Sequence, residues 1–341
     1  MVYGEDPVRT VLAAEDRLVA SDWPQVTSVL VGPDSLNLLS GQRHGAVKRA
    51  LSEAFGERQI RAYVPRIGGV VQEYVERWAR GQQPTPGFAS CQELSQAVFD
   101  AVVLGGDGSQ ERSRELQACM ARLASGFQTP PVELPFTDYG KAVAARRAFG
   151  VLVMDAIARY RATSASRGPS SVLEELVAAA AAASAADPTT AAHQLSDSVI
   201  EDNMAAAFFG NASTGPSLAK ALQHLAARPE DLMERHGTAI TADVLDGMKF
   251  GAAVGKELLR ITPAVPAVFR VAAVDFDLQG RQVPKLLVTL AVLARDYEWQ
   301  AMTPGEEWRV VPVPAPKEGL LLPGPFIGFV MDLVRNAIEV A

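Results

Sequence analysis

Helical periodicity runs through most of this 341-residue chain and constrains its fold more than any other feature. Apolar residues recur at three- and four-residue intervals over Gln42–Phe55, Gln59–Trp78, Gln92–Leu104 and Glu111–Phe127, which predicts an amphipathic helix for each. Lys141–Arg161 reads as a further long helix with its basic residues on the outer positions. Ser170–Ala186 is Ala-rich, a composition that favours helix, and Asp187-Pro188 stops it. Ser196 and Asp197 open the longest element, a helix over Ser198–Ala227 with Ser198 and Glu201 as a capping box. Pro216 lies inside that helix and has no backbone N–H to give, so the helix is expected to bend or open beside Ser213 and Thr214. Another short helix starts at Arg228.

Strand signals are few: Val268–Val274, Phe276–Val283, and Glu307–Pro312 with a return near Leu320. Asp277-Leu278-Gln279-Gly280 supplies a turn between two of them. With neither a linker nor an internal repeat, the chain reads as one mainly α domain with a small β portion over residues 1–341. Residues 323–341 add a C-terminal amphipathic helix, on which Asp332, Arg335, Asn336 and Glu339 make a narrow polar stripe.

Composition removes several function classes. A net charge of -7 and a pI of about 5.3 argue against nucleic acid as a main partner. Cys91 and Cys119 stand outside any motif and read as free thiols of a reducing cytoplasm. None of His44, His193, His224 and His236 pairs at metal-ligand spacing, which argues against zinc. Met1–Thr10 lacks the basic start and apolar run of a signal peptide. No stretch reaches the roughly 18 uninterrupted apolar residues of a membrane span. The expectation is a soluble cytoplasmic protein.

Several motifs agree in order and approximate spacing with one family. Glu257-Leu258-Leu259-Arg260 is an E-x-x-R pair, followed by Thr262-Pro263-Ala264-Val265-Pro266 and Phe269-Arg270. Gly41-Gln42-Arg43-His44 leads to Lys48-Arg49 and Phe55, and Phe209-Gly210-Asn211-Ala212-Ser213-Thr214 lies at the centre of the longest helix. Tyr297-Glu298-Trp299, Val311-Pro312-Val313-Pro314 and Lys317-Glu318-Gly319-Leu320 look like a closing β segment. On these residues the chain resembles cytochrome P-450, particularly the branch that oxidises retinoids, sterols and other isoprenoids. The resemblance implies that fold, with His44, Lys48 and Arg270 placed to hold haem propionates. Residues 209–214 would be the oxygen-activating segment, and Glu257–Arg260 a buried structural ion pair.

Three departures shape the expected chemistry. The F-x-x-G-x-R-x-C-x-G loop that carries the axial cysteine is absent, because Val283-Pro284-Lys285 runs straight into Leu286-Leu287-Val288. Ala212 stands where the resemblance implies an acid, although Ser213 keeps a hydroxyl. The start is short, with Val2–Val19 corresponding to a segment well inside the family fold. A haem iron without a thiolate cannot drive O–O cleavage. The expectation is therefore a haem-free, non-redox enzyme on a truncated scaffold, most concretely a prenyl diphosphate (terpene) cyclase or isomerase of secondary metabolism.

In that reading His44, Lys48 and Arg270, with Phe269 beside them, clamp a diphosphate or carboxylate; otherwise they are a relic or solvated charges. Phe208 and Phe209 stabilise a carbocation, or simply pack in the core, while Asn211 and Ser213 line the old active site. Asp197, Glu201 and Asp202 complement a helix dipole or hold Mg²⁺, although no D-D-x-x-D run is present. The alternative function is a non-catalytic auxiliary protein that stabilises a partner such as a glycosyltransferase through Phe326–Ala341.

Overall fold

The computed structural model describes residues 5–14, 17–80, 87–127, 129–164, 166–186, 195–226, 241–261 and 270–283. The chain groups into two compact units, one drawn from Met1–Leu30, Ala124–Lys141 and Ala267–Ala341, the other from Val31–Leu123 and Ala142–Pro266. The described residues are mostly helical with two small sheets.

In the first unit, α1 (Glu5–Ala13), β1 (Val19–Ser21) and α2 (Gln25–Leu30) come from the start of the chain. β1 pairs antiparallel with β2 (Arg270–Ala272), placing Val19 opposite Ala272 and Ser21 opposite Arg270. The strand expected over Val268–Val274 is thus confined, among the described residues, to the stretch that has a partner; that partner lies about 250 residues away and is invisible to local periodicity. β3 (Phe276–Leu278) and β4 (Arg281–Val283) form a hairpin across the expected turn. Gln279 at φ 55° and Gly280 at φ 79° occupy its two loop positions, both left-handed as a tight hairpin requires, and Asp277 Oδ1 accepts the Gly280 N–H at 2.8 Å.

The second unit holds α3 (Gly41–Ala54), α4 (Glu57–Arg80), α5 (Gly87–Phe99), most of α6 (Gln110–Gly126) and of α7 (Asp138–Thr163), and α8 (Val172–Ala186). α9 (Asp197–Gly210), α10 (Thr214–Ala226), α11 (Ala242–Gly247) and α12 (Lys249–Ile261) complete it. Its core centres on Phe208, which stacks on Phe149 at 4.3 Å and meets Phe99 at 5.3 Å; both Phe208 and Phe149 are fully buried. Val70, Tyr74, Leu94, Ala97 and Ala101 form a second cluster, with Trp78 edge-on to Tyr74.

Two expected helices are modified for identifiable reasons. The helix ending near Leu104 widens into a π turn over Asp100–Leu104, because the Gly105–Gly108 loop folds back onto Asp100. The buried Asp100 carboxylate accepts the Gly108 N–H at 3.2 Å and Arg112 Nε–H at 3.3 Å. The long helix expected over Ser198–Ala227 is interrupted by a 3₁₀ turn, Asn211–Ser213, and restarts at Thr214. Pro216 cannot donate to the carbonyl four residues back, and Gly215 lies so close to α5 that a Cβ there would meet Gln92 Cα at 2.7 Å. The cap of α9 is Ser196, whose Oγ accepts the Val199 N–H at 3.4 Å, and not the Ser198–Glu201 box. Glu201 lies beyond the first turn and faces α7 instead. Among the described residues no helix is long and apolar enough to cross a membrane.

Candidate functional site

α3 starts at Gly41, which at φ 58° takes a left-handed conformation that suits glycine. His44 and Lys48 stand one turn apart and so share a face, His44 half-buried and Lys48 exposed. Arg43 on the same first turn pairs with Asp34 at 2.8 Å. Arg270 lies in β2 of the other unit, so within one unit the structure joins His44 with Lys48 only. Phe269 lies outside the described residues.

The helix interruption gathers the next candidates. Asn211 is tied to α5: its Oδ1 accepts from Ser95 Oγ at 3.0 Å, and its Nδ2 donates to Gln96 Oε1 at 3.3 Å and Ser95 O at 3.4 Å. Ser213 Oγ is exposed and donates to Gly210 O at 3.2 Å. Phe208 is committed to the aromatic stack, whereas Phe209 is half-buried beside the break.

The three acids of α9 go to arginines. Asp197 takes a bidentate contact from Arg161, at 2.6 and 2.7 Å. Glu201 and Asp202 share Arg146, which donates to Glu201 through both terminal nitrogens and to Asp202 Oδ1 at 2.7 Å. Arg146 is thus buried, against the expectation that the basic residues of this helix point outward. Asp202 also accepts the Asp34 N–H at 2.8 Å. Burial pushes the Asp202 carboxyl up to about 6, against the downward pull of that N–H and of Arg146, and the neighbouring Glu201 pushes the same way as burial. Next to it, Asn203 accepts the Leu36 N–H at 2.9 Å and donates to Asp34 O at 3.1 Å. Asn203, Arg146 and Asp34 carry no sequence signal of their own. The clue was an adjacent acid pair in an otherwise apolar helix, which demands a buried cation. Among the described residues no group of three His, Cys, Asp or Glu side chains could hold a metal ion.

Glu257 and Arg260 do pair, at 2.6 and 2.8 Å, but at the surface: their side chains are 57% and 69% exposed. The expected burial is not seen because both lie on the outward face of α12. Phe326–Ala341 lies outside the described residues. A cleft of about 560 Å³, lined by Arg66, Asp100, Arg112, Leu152 and Arg159 among others, brings together none of the site residues expected from the sequence.

The geometry defines a helical scaffold with a cationic helix face and an interrupted central helix, and the class follows from comparison. The family model described as Cytochrome P450 matches residues 1–297, and the chain belongs to that family. It is 29% identical over 296 residues to cytochrome P450 26B1 of Danio rerio, covering 83% of this chain and 57% of that protein. It is 27% identical over 308 residues to cytochrome P450 26C1 of Mus musculus, covering 83% and 59%. Among solved structures, the retinoic acid bound cyanobacterial CYP120A1 superposes with a TM-score of 0.68 at 24% identity, over 83% of this chain and 64% of that one. CYP102L1 does so with a TM-score of 0.64 at 18% identity, over 82% and 68%. The chain therefore has the P450 fold and spans a little under three-fifths of these two relatives' length.

Family membership overturns the expected chemistry. The family points to haem as cofactor, against the expected absence of one. The haem-free, non-redox terpene cyclase or isomerase, the glycosyltransferase auxiliary, and Mg²⁺ in place of haem are set aside. A motif absent from a chain that spans 57% of its relative does not establish a loss. The residues present fit haem in part. His44 and Lys48 suit its carboxylates. Neither cysteine suits its iron: burial pushes both the Cys91 and Cys119 thiols up, away from the thiolate the iron requires, and Cys119 Sγ donates to Ala145 O at 3.5 Å.

Proposed function

We propose that this protein takes part in the haem-dependent oxidation of a small lipophilic isoprenoid acid of the retinoic acid type. The observation that carries the reading is the family match over residues 1–297, a span that includes both the cationic face of α3 and the interrupted α9–α10 helix. The retinoic acid bound to the cyanobacterial protein of similar fold supports the substrate class. When bound, haem would supply oxygen activation, and the residues of this chain that would hold it are those facing its carboxylates. The chain's own residues bind and orient around it. His44 and Lys48 neutralise the haem carboxylates from one helix face. Ser213 keeps a hydroxyl at the helix break, where a proton can be passed, while Ala212 beside it offers none. Phe209 presents an apolar surface next to the same break.

The reading is tested by producing the full chain with a haem precursor, adding retinoic acid and an electron donor, and analysing the organic extract. An oxygenated retinoid that depends on haem is expected. A haem-loaded protein that neither binds nor alters retinoic acid rules the substrate class out.

A further inference from the structure

Asp34 is held at three points. Its N–H goes to Asp202 Oδ2 at 2.8 Å, its carbonyl accepts from Asn203 Nδ2 at 3.1 Å, and its carboxylate takes Arg43 on the first turn of α3 at 2.8 Å. The grip extends along the segment, since Leu36 N–H goes to Asn203 Oδ1 at 2.9 Å and Arg146 reaches Val31 O at 3.4 Å. Gly32, at φ +115°, lets the segment lie directly on the acid: a Cβ there would fall 2.0 Å from Asp202 Oδ1. Asn203 is itself fixed by donating to Val199 O one turn back, and both α9 residues are buried. Backbone amides clamped by two rigid, buried side chains have little freedom, and the clamped residue passes that constraint to α3 through its ion pair.

We infer that Asp202 and Asn203 are positioning residues that fix, through Asp34, where the first turns of α3 hold His44 and Lys48. This rests on the reading of those two side chains as haem-carboxylate groups. Four histidines in the chain make the imidazole signals of the full protein tractable by NMR. In Asn203→Ala the His44 signal shifts and the Asp34 and Leu36 amides exchange faster with solvent. Phe149→Leu is the control, because it weakens the α7–α9 packing at Phe208 while its ring makes none of the hydrogen bonds that hold Asp34 and Leu36; there the His44 signal and both amides stay as in the wild type. Haemin affinity of Asn203→Ala falls about tenfold, the equivalent of ~1.4 kcal/mol, while that of Phe149→Leu is unchanged. A His44 signal unmoved in Asn203→Ala, or moved equally in Phe149→Leu, overturns the inference. A wild type that takes up no haemin overturns the functional reading instead, and the NMR and exchange results still decide the positioning.

Discussion

Arg146 and Arg260 each grip carboxylate, yet the two contacts differ in kind. Arg260 and Glu257 lie on one turn of α12, both largely in water, where pairing exchanges one set of good hydrogen bonds for another. Arg146 is 10% exposed and faces side chains 15% and 9% exposed, joining α7 to α9 across 55 residues of sequence. There the charges are largely shielded from water, so removing a partner leaves an uncompensated ion. The pair made prominent by the family motif carries little of the fold, and the network with no motif holds two helices and a loop together.

Breaking the buried side has the largest effect. Arg146→Met strands the buried Asp202 and the largely shielded Glu201 and is expected to cost about 3–5 kcal/mol in urea unfolding. The triple variant Arg146→Met, Glu201→Gln, Asp202→Asn removes the stranded charge and recovers most of that loss.

Titration sharpens the contrast next. The folded-state value of Asp202, about 6, lies above an ordinary aspartate's 3.8, so the proton favours the folded state. That stabilisation is complete below about pH 4 and is lost as pH rises through about 6, a span of at most roughly 3 kcal/mol at ~1.4 kcal/mol per pH unit. Urea midpoints should fall between pH 4.5 and 7 in the wild type by more than in Asp202→Asn.

A smaller loss, about 1–3 kcal/mol, is expected for Gly32→Ala, from a left-handed backbone and a Cβ driven into Asp202. Arg260→Met, on the exposed side, should leave the midpoint within experimental scatter. A large loss there would erase the distinction between the two pairs.

The sequence foretold the helices wherever a single face is apolar, and Pro216 foretold the break at Asn211–Ser213. It also put His44 and Lys48 in one helix, expected over Gln42–Phe55 and found as α3. It could not show that Arg146 turns inward, because the helix around it carries Lys141, Arg147, Arg159 and Arg161 as well, and nothing local distinguishes the one with distant acid partners. Nor could it show that β1 pairs with β2, or that Asp34 is clamped by residues 168 and 169 positions further on. The cofactor was illegible for a different reason. A missing cysteine loop reads as lost chemistry, whereas the chain spans only 57% of the length of cytochrome P450 26B1 of Danio rerio.

The most direct measurement is a spectrophotometric titration of haemin into the 341-residue chain, followed by retinoic acid, beside a His44→Ala, Lys48→Ala double variant. Saturable haemin uptake is predicted, at least about tenfold weaker in the double variant because two charge-assisted contacts are gone, with a further change of the haem band on adding retinoic acid. A wild type that takes up no haemin, or takes it up as well without His44 and Lys48, would contradict the account.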